Sequence, residues 1–301
     1  MKHLNDLEHC MLCPRVCSVN RKLGQKGYCR KNAELMIGRA ALHYWEEPCI
    51  SGTKGSGAVF FSGCNIGCVF CQNYNLSRAK EGKVVTVRRL AEIFLELEAQ
   101  GAHNINLVTP THYVVAIIEA LELAKTRGLT CPIIYNCSGY ERVETLEMLD
   151  GLVDIYLPDC KYYSEELAKK YSHAPLYFEV ASKAIEEMVR QVGSPKFDEE
   201  GIMQKGVIVR HLMLPGKLMD SKAIVKYLYA QYKDTIYMSL MNQYTPLPHV
   251  IDYPELNRKV SRKSYERLIQ YALDLGVENA FIQEGETATE SFIPIFNGEG
   301  V

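Results

Sequence analysis

An α/β fold built on a parallel sheet is what this chain predicts, and three observations carry the reading. Short apolar runs alternate with stretches of helical periodicity along most of the chain. Its 301 residues suffice for one large α/β domain or two ordinary ones, and hydrophobic residues make up 47% against 23% charged, the usage of a chain with a proper core. Parallel strands need crossovers and helices supply them, so strands separated by helices read as a sheet covered by helices, doubly wound or curled into a barrel.

The elements follow in order. Residues 1–56 carry a first group of cysteines, several turn signals and little periodicity, and read as an irregular, metal-stapled segment ending in a flexible Gly/Ser run at 51–57. Residues 58–61, apolar and bounded by Gly57 and Gly63, read as a strand buried on both faces. Leu90, Ile93, Phe94 and Leu97 then form a helix face. Ile105–Val108 is the next strand, and Val114, Ile117, Ile118 and Leu121 mark a helix that stops near Gly128. Strands at 132–135 and 153–157 flank a short helix through Val143, Leu146 and Leu149, and helical stretches occupy 164–192. A strong strand at 207–214 ends at Pro215 and Gly216, followed by a helix at 220–232 and a strand at 235–241. Tyr265, Leu268, Ile269 and Ala272 form the last helix face and Ala280–Ile282 the last strand. The expected organisation is a Cys-rich metal-binding segment at 1–56 and a core barrel with a C-terminal extension at 57–301.

Charge excludes some classes. Lys plus Arg is 34 and Asp plus Glu is 36, a formal net charge of −2, which leaves no electrostatic footprint for nucleic acid. Residues 1–6 lack the apolar region of a signal peptide, and no stretch approaches the roughly 20 apolar residues of a membrane span. The expectation is a soluble, cytoplasmic chain with no membrane partner. Eleven cysteines, an odd number in a reducing compartment, favour metal ligation or redox chemistry over disulfides.

The cysteines cluster. Cys64, Cys68 and Cys71 sit immediately after the first strand, where thiolates on a short loop can converge on one iron–sulfur cubane. Three ligands for four irons leave one iron open to a substrate or cofactor, as a catalytic zinc keeps a vacant position. A zinc knuckle completed from elsewhere, or packing, is the bland alternative.

The C-x3-C-x2-C spacing with Phe70 before the third cysteine, at the end of the first strand of a βα alternation, resembles the radical S-adenosylmethionine (SAM) superfamily. The context from Phe61 to Asn73 is similar to the branch related to pyruvate formate-lyase activating enzymes, and the likeness runs from about residue 57 to 283. The resemblance implies a partial (β/α)6 barrel, a [4Fe–4S] cluster on Cys64, Cys68 and Cys71, and SAM chelated by its open iron. It also implies reductive cleavage to a 5′-deoxyadenosyl radical that abstracts hydrogen, with a donor such as flavodoxin or ferredoxin and, for an activase, a glycyl radical enzyme as protein substrate. Phe70 joins the cofactor-binding residues that it implies.

Further implied contacts lie at strand ends, where parallel-sheet enzymes keep their sites. Strand two ends at Thr109 and Pro110, where the family carries a Gly-Gly-Glu-Pro-like motif; only the proline corresponds, leaving backbone carbonyls or Thr109 for the SAM amino group. Strand three ends at Asn136, Cys137 and Ser138, similar to an Asp-Thr-Asn-Gly stretch, and strand four at Asp159 and Lys161, resembling the Asp-x-Lys whose lysine approaches the SAM carboxylate. Arg210 lies in an apolar strand similar to one whose arginine sits near SAM, and strand six ends at Asn242 without the histidine that the family often has there. His211 points the other way from Arg210 and reads as structural, and Cys137 and Cys160 as packing thiols.

Cys10, Cys13, Cys17 and Cys29 are four thiols within twenty residues, able to close a zinc site or hold a second iron–sulfur cluster. The 1–56 segment and the Tyr/Pro-rich run 243–253 read as a lid or docking surface. The rival class is a non-catalytic iron–sulfur protein for electron transfer or redox sensing. A radical SAM enzyme acting on a small molecule, a peptide or RNA is the other alternative.

Overall fold

In a computed structural model, which describes residues 7–283 and 296–301, the strands form one sheet. Residues 1–6, on which the leaderless reading rests, lie outside the described residues. The strands are β1 (Met36–His43), β2 (Ser56–Phe61), β3 (Lys83–Val84), β4 (Ile105–Val108), β5 (Ile133–Cys137), β6 (Ile155–Pro158), β7 (Lys196–Phe197), β8 (Met203–Leu212), β9 (Tyr237–Met241) and β10 (Ala280–Ile282). Their spatial order is β3-β1-β2-β4-β5-β6-β8-β9-β10, with β7 paired to β8. From β2 to β10 every neighbouring pair is parallel, while β1 and β3 extend the sheet antiparallel. Among the described residues β10 and β3 do not meet, so the sheet is a partial barrel rather than a closed one.

The seven parallel strands are those expected from the apolar runs. β1 is not: it lies within the segment read as irregular. Its residues include Gly38 and Arg39 and alternate only loosely between buried and half-buried, so its place comes from pairing with β2 rather than from its own composition. β3 and β7 are two exposed residues each, too short for any periodicity. The expected helical stretch at 164–192 is two helices, Glu165–Ser172 and Tyr177–Val192, separated where His173 and Leu176 both take left-handed backbone.

The two faces of the sheet do different things. Val59, Leu107, Tyr135, Tyr156, Val209 and Leu240 face the helices Val87–Ala99, Val114–Thr126, Tyr177–Val192, Leu218–Tyr232 and Arg262–Leu275, forming the main core. Each large apolar side chain buried there stabilises by about 1.5–3 kcal/mol. Two of these helices start on a side-chain oxygen: Thr86 accepts from the Arg89 N–H and Ser261 from the Ser264 N–H. The opposite, concave face is partly filled by the short helix Pro48–Ser51, whose Cys49 and Ile50 pack on Ile134, Ile155, Leu157 and Ile208. That plug closes the end where the strands begin, and the chemistry-bearing residues gather where they finish.

Candidate functional site

The loop after β2 carries the cysteine triplet, and its shape depends on backbone that only glycine adopts easily. Gly63 (φ 97°) and Gly67 (φ 72°) turn the chain. A Cβ at Gly63 would lie 2.7 Å from the Cys29 carbonyl oxygen and 3.0 Å from the His112 ring. The loop is then held from several sides. The Val69 N–H donates to the Tyr171 carbonyl at 2.8 Å, Arg78 donates to the Gly67 carbonyl at 3.0 Å, and the Asn65 amide donates to the Tyr140 carbonyl at 2.6 Å.

The sulfurs sit in a shell of donors. The Ser172 hydroxyl lies 2.9 Å from Cys68 Sγ and is itself hydrogen-bonded to Tyr162 at 2.7 Å. Ser77 hydrogen-bonds Cys71. Burial pushes the Cys68 thiol up to about 12, with Cys71 and Cys64 adding to it and Lys161 opposing, and burial likewise raises Cys71. Buried thiols of this kind lose their protons only where positive charge compensates, and soft thiolates suit iron–sulfur clusters. Among the described residues no three His, Cys, Asp or Glu side chains are gathered around one point for a single ion. Cys64 and Cys71 stand close enough to Cys68, and Cys64 to Cys71, to act on one another's charge, and three thiols on one loop are the donor type that such a cluster takes.

Lys161 reaches this loop from the end of β6. Its ammonium contacts Asp159 at 2.5 Å, both side chains being largely buried. Burial alone would lower the lysine, yet the Asp159 carboxylate, with Cys68 and Cys71 nearby, holds it above the usual range. The Tyr177 hydroxyl fixes the turn that carries the pair, donating to the Ser138 carbonyl at 2.7 Å and accepting from the Lys161 N–H at 3.0 Å. Gly139 is required there: its φ is 75°, and a Cβ would fall 2.1 Å from the Asp159 carbonyl oxygen.

The remaining expected residues are placed as follows. Phe70 is buried, with its ring 5.9 Å from that of Tyr244. The Ser138 hydroxyl is 3.3 Å from Asn65 Oδ1, tying the end of β5 to the triplet loop. The Asn136 carbonyl accepts the Thr109 N–H at 2.9 Å. Thr109 holds a left-handed φ of 59°, a conformation costly for a β-branched residue, at the end of β4. Arg210 lies level with Asp159 on the neighbouring strand, and its guanidinium is taken up by Glu47 and Glu46. His211 is buried and satisfied, its two ring nitrogens 2.8 Å from the Cys160 carbonyl and the Ser221 hydroxyl.

The N-terminal cysteines lie against this site. Cys10, Cys13 and Cys29 are buried and Cys17 is half-buried. The Cys17 and Cys29 sulfurs pack around Gly27, 3.3 and 3.8 Å from where a Cβ on that residue would stand, and the Tyr28 N–H donates to Cys17 Sγ at 3.2 Å. Burial pushes the Cys13 thiol up to about 12 and also raises Cys29, where Arg21 opposes it.

Several residues at the site had no signal in the sequence. Arg15 donates to the Asn65 carbonyl at 2.7 Å, with its guanidinium 3.7 Å from the Tyr28 ring centroid, and the Tyr28 hydroxyl donates to the Ile66 carbonyl at 3.0 Å. His249, from the 243–253 run, stacks on Tyr74 at 4.3 Å and bonds the Cys71 backbone, with a buried Nε2 that has no hydrogen-bond partner among the described residues. Glu141 is a fully buried carboxyl joined to the Thr111 hydroxyl at 2.7 Å. A cavity of about 450 Å³ lies at the opposite end of the strands, among Pro48, His103, Ile202 and Tyr237, away from every cysteine of the two groups.

Comparison with known proteins bears on this arrangement. The model of the "Radical SAM superfamily" matches residues 58–228. The uncharacterized protein MJ0674 of Methanocaldococcus jannaschii is 28% identical over 284 residues, 90% of this chain and 77% of that protein. Among solved structures, HydG, a maturase of the [FeFe]-hydrogenase, superposes with a TM-score of 0.52 at 16% identity, over 78% of this chain and 53% of that one. A radical SAM methyltransferase from Sphaerobacter thermophilus superposes with a TM-score of 0.50 at 15% identity, over 76% and 66% of the two chains. These two likenesses bear on the fold alone.

Proposed function

Because the chain belongs to the radical SAM superfamily, whose chemistry uses a [4Fe–4S] cluster and SAM, we propose that Cys64, Cys68 and Cys71 hold that cluster and that the ends of β4, β5, β6 and β8 receive SAM. The observation that carries the reading is the meeting of the triplet with Lys161: one buried ammonium, fixed by Asp159, stands beside two of the three thiols. When bound, the cluster and SAM supply reductive cleavage of a sulfonium S–C bond and a 5′-deoxyadenosyl radical for hydrogen abstraction.

The chain's own residues then have defined tasks. Lys161 offers a positive charge to the SAM carboxylate, and Asp159 keeps its ammonium in place. Phe70, packed on Tyr244, walls the loop, and Ser172 and Ser77 direct hydrogen bonds at cluster sulfurs. Asn136, Ser138 and the left-handed backbone at Thr109 line the strand ends for the rest of SAM, the Thr109 peptide turning its polar groups where a glycine motif would otherwise do so. Arg210 acts as a positioning residue, bracing β8 against Glu46 and Glu47. Cys10, Cys13, Cys17 and Cys29 supply a second metal site.

The reaction proposed is of activating-enzyme type, installing a radical on a protein glycine with an electron from flavodoxin or ferredoxin. A small molecule or a peptide as the hydrogen donor is the alternative. The test is reductant-dependent release of 5′-deoxyadenosine from SAM by the anaerobically reconstituted chain, beside the Cys64→Ala/Cys68→Ala/Cys71→Ala variant. Release from the first and none from the second is expected. An intact triplet cluster that never cleaves SAM, with or without candidate substrates, overturns the reading in favour of electron transfer or sensing.

A further inference from the structure

We infer that Cys10, Cys13, Cys17 and Cys29 hold a second iron–sulfur cluster that is the entry point for electrons to the triplet site; the relay rests on the function proposed above, whereas the cluster itself does not. The four thiols share one small segment, and the Cys17 and Cys29 sulfurs both lie within 4 Å of where a Cβ on Gly27 would stand. A backbone N–H already points at one of them, the kind of donor that stabilises a thiolate ligand.

The placement decides what such a centre does. On one side the Cys29 carbonyl touches Gly63, the residue before Cys64, so the backbones bearing the two groups are in contact. Arg15 and Tyr28, which flank Cys17 and Cys29 in the chain, clamp the Asn65 and Ile66 carbonyls of the triplet loop. A zinc staple for a segment without a core of its own could sit on any surface of the barrel. This one is built onto the catalytic loop.

On the other side the segment opens outward. Cys17 is only half-buried, and its neighbours Val16 and Tyr28 are 44% and 38% exposed. In the proposed relay a protein donor meets the segment at half-buried Cys17 and exposed Val16, while the Cys29 backbone borders the triplet loop. In the step proposed, a low-potential one-electron protein donor of the flavodoxin or ferredoxin class reduces the N-terminal cluster by one charge. The cluster is reoxidised as the same electron passes inward to the triplet's iron, and no atom or proton is transferred. Arg21 beside Cys29 favours the more negative, reduced state, and Glu141 beside Cys13 opposes it.

Two measurements test this on the full-length chain, purified without oxygen. In the Cys64→Ala/Cys68→Ala/Cys71→Ala variant, about four irons and a dithionite-induced paramagnetic signal that SAM does not alter are expected to remain. One zinc, or no metal, in that variant overturns the inference and leaves the proposed function standing. Iron in that variant, beside a wild-type chain that never cleaves SAM, supports the second cluster while removing the function. The relay is read from Cys17→Ser, as the rate at which reduced flavodoxin bleaches the triplet cluster divided by the rate with dithionite. That ratio is expected to fall at least tenfold; an unchanged ratio overturns the relay. A variant that no longer holds triplet iron is replaced by Arg15→Ala, for which the same ratio is expected to fall and an unchanged ratio is equally damaging.

Discussion

Arg210 and Glu47 form a two-pronged ion pair inside the sheet's concave face, with Arg210 Nε 2.8 Å from Glu47 Oε1 and a second guanidinium nitrogen shared between Glu47 and Glu46. All three side chains are largely buried, and Asn106 donates to Glu46 at 2.9 Å from β4. The pair joins β8 to the segment that leads from β1 into the plug helix. Its chemical demand is severe, because neither carboxylate has water to fall back on.

Arg210→Ala is therefore expected to destabilise the chain by about 3–5 kcal/mol, the cost of leaving buried charge uncompensated. Arg210→Lys keeps the charge and loses the fork, so it should fall between the two. Urea unfolding measures both. A loss under about 1 kcal/mol for the alanine variant would mean that the glutamates find other partners.

Gly139→Ala tests the turn behind the Asp159–Lys161 pair. The added methyl meets the Asp159 carbonyl and the residue must hold a left-handed φ, so a loss of about 1–3 kcal/mol is expected. SAM affinity should fall with it, since Asp159 is the residue displaced. Thermal unfolding with and without SAM separates the two effects: a variant that unfolds earlier yet binds SAM as before would place Asp159 outside the cofactor site.

Ser172→Ala removes a hydroxyl from Cys68 Sγ. Hydrogen bonds to cluster sulfurs favour the reduced, more negative state, so the midpoint potential should move lower. One such bond is worth about 1 kcal/mol net, or roughly 40 mV for one electron. An anaerobic redox titration checks this, and an unmoved potential would mean that the hydroxyl turns to Tyr162 instead.

Glu141 predicts a pH dependence of stability. Burial raises its carboxyl to about 8, against the hydrogen bonds from Thr111 and Tyr135 that pull it down. In the unfolded chain the group ionises near the ordinary carboxylate value, while the folded chain keeps its proton. The stability it contributes is full below about 4.5, and is lost progressively as pH rises through about 8. Glu141→Gln, which has no proton to lose, should flatten that decline. Melting temperatures between pH 5 and 9 measure it, and parallel curves for the two proteins would show that Glu141 is ionised in the fold.

What could be read from the residue order was what is local. The triplet's spacing, the apolar runs of the parallel strands and the helix faces all lie within a few residues, and Lys161 follows Asp159 by two. What could not be read depends on distance along the chain. Glu47 meets Arg210 across 163 residues, and Arg15 meets Asn65 across 50. Nothing in Glu46 or Glu47 marks them as buried, and nothing in Thr109 announces a left-handed backbone. β1 escaped for the same reason, since its partner strand, not its composition, makes it a strand.

The N-terminal cysteines are fastened by residues that come much later in the chain. Arg21 donates to the His112 carbonyl across 91 residues, and Arg142 donates to the Met11 carbonyl at 2.7 Å across 131. Translation at roughly 5–20 residues per second puts Arg142 about 7 to 26 s behind Met11. During that interval the Cys10 and Cys13 thiols have no barrel to dock on. The cysteine-bearing segment thus cannot be fastened until the chain has been made well into the barrel, and its thiols wait on contacts that synthesis supplies late.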